Sequence, residues 1–81
     1  MKVYYWPNVI ALTNWGAGQV VAVAESLEEA ITAAIESRRE TAAHWDTTYA
    51  EEHLSTLEYD LRHYEHKVFD GPWAVCIEGR E

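Results

Sequence analysis

The chain has 81 residues, with 14 Asp plus Glu against 6 Lys plus Arg, and its formal charge is −8. That length fits a single domain over residues 1–81 with a modest core, and 48% apolar residues argue against disorder. The charge disfavours direct nucleic-acid binding and anionic membranes, and no apolar run approaches the ~18–20 residues that span a bilayer.

The segment from Lys2 to Ala24 reads as strand-rich. Val3-Tyr4-Tyr5-Trp6 are good strand formers. Pro7 cannot donate to a ladder, so Pro7-Asn8 marks an interruption, and the first strand should lie at a sheet edge there. Val9 to Thr13 resumes an extended pattern. Asn14-Trp15-Gly16-Ala17-Gly18 is a turn sequence, and Gln19 to Ala24 reads as the returning strand. Val21 and Val23 then share one face, and Ala22 and Ala24 the other. Small residues on that second face predict a close-packed neighbour.

Ser26-Leu27-Glu28-Glu29 has the form of a capping box. Leu27, Ala30, Ile31, Ala34 and Ile35 follow at helical spacing, which predicts a helix to about Arg39. Residues 40–45 fit either a longer helix or a connection. Asp46-Thr47-Thr48 resembles a new N-terminal cap, with Thr48-x-x-Glu51 as a second capping box. Ala50, Leu54, Leu57, Leu61, Tyr64 and Val68 form an apolar stripe, so a second helix is expected to run to the stop at Asp70-Gly71-Pro72. A last strand is expected over 73–78, and a frayed tail over 79–81. The fold class is therefore α+β in the order β-β-α-α-β. Two helices would cover one face of a small three-stranded antiparallel or mixed sheet. The central strand stays open at this point.

No catalytic or cofactor motif stands out. Gly16-Ala17-Gly18 lacks the third glycine and the directly following helix of a dinucleotide site, and reads as a hairpin turn. His63 and His66 are three apart near Asp60 and Asp70, but the spacing is not a zinc signature. They read as a solvated face where imidazoles meet carboxylates. Catalytic carboxylates need a cleft that separates their pKa values, and this architecture leaves little room for one. Cys76 is the lone cysteine. It cannot form an intrachain disulfide, and no partner for a nucleophile is evident. The expectation is a non-enzyme with no cofactor and no metal. It would lie in a reducing cytoplasm without a signal peptide, because the amino terminus has no apolar core segment.

What remains is surface. Glu51, Glu58 and Glu65 repeat every seven residues, with Glu52, Tyr59 and Asp60 flanking them. Arg62 can pair with Glu58 or Glu65. The plain reading is the solvated back of an amphipathic helix. The sharper one is an acidic strip that binds a basic groove, since carboxylates on adjacent turns lie about 5–6 Å apart, close to the phosphate spacing of a nucleic acid. Trp15, at the expected hairpin tip, is a candidate exposed anchor.

Over its whole length the chain resembles the small acidic phage proteins that inhibit CRISPR–Cas systems. Lys2-Val3-Tyr4-Tyr5-Trp6, the Asn14-Trp15-Gly16 turn and Ala24-Glu25-Ser26-Leu27-Glu28-Glu29-Ala30 are similar to segments of phage-encoded small α+β proteins. Anti-CRISPR proteins share no common motif, so no residue role transfers from them. Many of them cover the nucleic-acid-binding surface of a CRISPR effector with carboxylates. The resemblance implies a basic protein surface as partner, on an effector subunit foremost of type I, in the host cytoplasm. Glu51, Glu52, Glu58, Asp60 and Glu65 would supply the charge, with Tyr59 or Trp15 as anchors. The alternative is a small interaction module, an adaptor or toxin-neutralising partner, that uses exposed aromatics or a sheet edge.

Overall fold

Alternation along the first two strands decides which way the sheet faces. The computed structural model describes residues 1–12, 18–74 and 76. Strand β1 (Lys2–Val9) pairs antiparallel with β2 (Gly18–Ala24), and Tyr4 lies opposite Ala22. Tyr4, Trp6, Ala22 and Ala24 are buried on one face, whereas Val21 and Val23 stand exposed on the other. The face of small residues is thus the covered one, as its composition implies. Helix α1 (Leu27–Thr41) lies on β2, and helix α2 (Thr47–His63) packs against α1 and β1. Trp6, Val9, Ile31, Leu57 and Leu61 fill the space between sheet and helices. Burying each such side chain contributes about 1.5–3 kcal/mol, which matters in a domain this small.

Among the described residues the order β-β-α-α-β stands, with three antiparallel strands arranged β2-β1-β3. β1 is the central strand, yet the edge behaviour expected at Pro7 is present locally. β3 (Lys67–Phe69) pairs only with Val3, Tyr4 and Tyr5, and the β2 register shifts between Trp6 and Val9. Pro7 therefore sits where no regular ladder needs its missing N–H. The extended run expected over 9–13 gives way to a 3-10 turn, Ile10–Leu12. The Ala11 N–H in that turn donates to the Asp60 carboxylate at 2.9 Å, which holds the chain away from the sheet. Gly18 must remain small here, because a Cβ would overlap Leu12 and approach its carbonyl oxygen to 2.9 Å. The expected turn residues 14–17 lie outside the described residues.

The starts of both helices follow local chemistry, and the end of α2 follows a tertiary contact. The Ser26 hydroxyl accepts from the Glu29 N–H at 3.3 Å, and the Glu29 carboxylate accepts from Glu25 N–H, one residue earlier than a strict capping box. α1 runs two residues past Arg39. Asp46, not Thr48, caps α2, accepting from the Tyr49 N–H at 3.2 Å. The apolar stripe predicts a helix through Val68, but α2 stops at His63. The buried Trp6 indole donates to the Leu61 carbonyl at 3.0 Å. That bond takes up an acceptor that a further turn would have used, and Tyr64 continues in extended conformation. Val68 then pairs opposite Tyr4 in β3.

The third strand among the described residues is thus Lys67–Phe69. Trp73, Ala74 and Cys76 are not in a strand. Val75 and residues 77–81 lie outside the described residues. Gly71, at φ +111°, turns the chain after β3, so the Asp70-Gly71-Pro72 stop ends a strand. No helix among the described residues is long and apolar enough to cross a membrane.

Candidate functional site

The charge is concentrated in the helical layer. Residues 27–64 hold nine of the 14 carboxylates against three arginines, a balance of −6. Two of those arginines join the helices through carboxylates. Arg62 on α2 donates to both oxygens of Glu28 on α1, at 2.5 and 3.0 Å, and to Glu58 at 3.1 Å. Arg39 on α1 pairs with Glu51 on α2 at 2.8 Å and lies 3.9 Å from Glu36. Each arginine sits between two carboxylates, so each cluster keeps a net negative charge. The hydrogen bond from Arg62 holds the Glu28 carboxyl below its ordinary range, and Glu28 and Glu58 together raise the Arg62 pKa. These groups are solvent-exposed, so their role in stability is small and screened by salt. What they supply is a pattern of carboxylates fixed across two helices.

The expected strip is only partly assembled. Glu51, Glu52 and Glu58 are exposed on α2. Tyr59 is 60% exposed, and its ring stacks on His63 with centroids 4.1 Å apart. The His63 Nδ1 lies 2.8 Å from the Tyr59 carbonyl, which can only accept, so that nitrogen carries the proton. Asp60 is a correction. It is 4% exposed, and its carboxylate is engaged by Ala11 N–H inside the fold. It cannot join a partner-binding surface. Glu65 is exposed but lies beyond the end of α2, so the seven-residue repeat does not extend to it. Arg62 turns to Glu28 and Glu58, not to Glu65. Trp15 lies outside the described residues.

Other residues enter that sequence spacing did not single out. Glu28 and Glu36 come from α1 and join the face only because the helices are neighbours. Tyr49, 61% exposed, stands at the start of α2 beside Trp45. Its place off the apolar stripe was the available signal.

The histidines do not converge. The His66 ring sits against Tyr4 and Trp6, while His63 stacks on Tyr59. Among the described residues no three His, Cys, Asp or Glu side chains form a group that could hold a metal ion. His53 instead faces Arg38 and Trp45. Arg38 Nε donates to His53 Nε2 at 3.0 Å, and its guanidinium lies 5.3 Å from the Trp45 ring centroid. Desolvation, and then the Arg38 charge, lower the His53 pKa, in keeping with a neutral imidazole that accepts this bond.

Comparison with known protein families, curated proteins and solved structures finds no match to this chain.

Proposed function

We propose that this protein is a non-enzymatic inhibitor of the anti-CRISPR type. It lays the outer face of its helical layer on a basic, nucleic-acid-binding surface of a bacterial CRISPR effector, foremost one of type I, and excludes DNA. The observation that carries this reading is the arrangement of charge. Carboxylates from both helices are held in place by Arg39 and Arg62, and with the buried Asp60 left out the layer still keeps eight carboxylates against three arginines, a balance of −5. Fixed anions on a stiff face attract a basic groove at long range and keep their spacing on contact. Glu51, Glu52 and Glu58 carry the α2 side, Glu28 and Glu36 the α1 side, and Tyr59 and Tyr49 are the exposed aromatics among them.

The test is DNA binding by a purified type I effector in the presence of the inhibitor. The combined Glu51→Lys, Glu52→Lys and Glu58→Lys variant should lose inhibition with unchanged circular dichroism. The matching Gln variant, which introduces no repulsion toward Arg39 or Arg62, should lose it in part. Full inhibition by the folded Lys variant would remove the acidic face from the mechanism.

A further inference from the structure

A second surface lies at the other side of α1. Among the described residues β2 is an edge strand, hydrogen-bonded to β1 alone. A groove of about 420 Å³ runs between its open edge and α1. Ala22 and Val23, which belong to opposite faces of the sheet, both line it, so it follows the strand edge and not one face. Ala33 and Ser37 of α1 form its far wall, and Arg38 lines it too. No residue of the acidic helix face takes part.

Two features define what fits. The edge of β2 offers backbone donors and acceptors that alternate along an extended chain, and only another extended backbone meets them in register. Arg38 supplies the second feature. Among the described residues it is the arginine with no carboxylate in ion-pair range, in a chain with 14 acidic residues. It is half-buried, and the bond to His53 and the contact with Trp45 fix its orientation. A guanidinium held in this way uses its remaining N–H groups for a planar anion.

We propose that this groove takes an extended segment of a partner protein as an added strand on β2, with a carboxylate of that segment paired to Arg38. Because the protein itself carries −8, the rest of the segment is uncharged or basic. This inference does not rest on the inhibitor reading, since the two surfaces share no residue.

The probe is a phage-displayed library of random short peptides, panned on the whole protein. Enriched peptides should be rich in β-branched residues around an Asp or Glu. Their binding should shift the backbone amides of β2 in NMR spectra. Ser37→Trp, a substitution at an exposed position, should block the groove and abolish binding. Arg38→Gln should weaken it about tenfold or more, the size of a lost charge-assisted hydrogen bond. The Glu51, Glu52 and Glu58 charge-reversed variant should bind these peptides as the natural protein does. No enrichment over the Ser37→Trp protein would overturn the proposal, and so would peptides insensitive to Arg38→Gln. A dimer in sedimentation that Ser37→Trp dissociates would also overturn it, by making a second copy of this chain the occupant.

Discussion

The two sides of α2 put the same chemical group to opposite uses. On the inner side, Asp60 is buried beside Leu57 and Leu61 and takes the Ala11 N–H, tying the helix to the turn after β1. On the outer side, Glu58 lies two residues earlier, exposed and bridged by Arg62 to Glu28 on α1. One carboxylate holds the fold and has no surface to offer. The other adds little to the fold and is free to meet a partner. Net charge therefore overstates the proposed binding face, and that face must be counted from the outer side alone.

Substitutions that separate the two sides test this contrast. The largest effect is expected at Trp6, whose indole fills the core and donates its N–H to the inner-side carbonyl of Leu61. Trp6→Ala should cost about 3–5 kcal/mol, enough to leave the domain largely unfolded by calorimetry. Asp60→Ala comes next. It strands the Ala11 N–H and should cost about 1–3 kcal/mol in urea denaturation. Asp60→Asn keeps an acceptor and should cost clearly less than Asp60→Ala. Equal losses would mean that the hydrogen bond is not what Asp60 contributes. Arg62→Ala, on the outer side, should lower the melting temperature less than Asp60→Ala does, and the loss should vanish at high salt. An effect as large as that of Asp60→Ala, and insensitive to salt, would erase the contrast.

The smallest expected effect is on pH dependence. The His53 pKa is lowered in the folded protein, so the unfolded chain binds that proton more readily. Stability from this group is complete above its ordinary value of 6.5 and declines as pH falls below it. The Glu28 carboxyl is also lowered, and its contribution declines only below its ordinary value of 4.5. His53→Gln keeps an acceptor for Arg38 without titrating. It should flatten the melting temperature against pH below 6.5 and leave the more acidic limb unchanged. An unaltered profile would dismiss the neutral His53.

Much of the fold was legible where local chemistry decides. The alternation of Val21 and Val23 with Ala22 and Ala24 identified the covered face, and Ser26 with Glu29 marked the start of α1. The end of α2 was not legible, because the Trp6 indole reaches Leu61 across 55 residues of sequence. The place of β3 was not legible either. The segment 73–78 has the stronger strand composition, but β1 pairs with Lys67–Phe69.

The site shows the same division. Asp60 follows Glu58 by two residues, about 200° around a helix, so the helical wheel already separated it from the strip. Glu28 and Glu36 could not be assigned, because no spacing within one helix shows which helix lies alongside.

The proposed function requires the outer face to bind by charge. The most direct measurement is the affinity of the protein for a purified type I effector across a series of salt concentrations. Affinity should fall steeply as salt rises, and the Glu51→Gln, Glu52→Gln, Glu58→Gln variant should bind more weakly with a shallower slope. Tight binding that is indifferent to salt and to those three changes would contradict it.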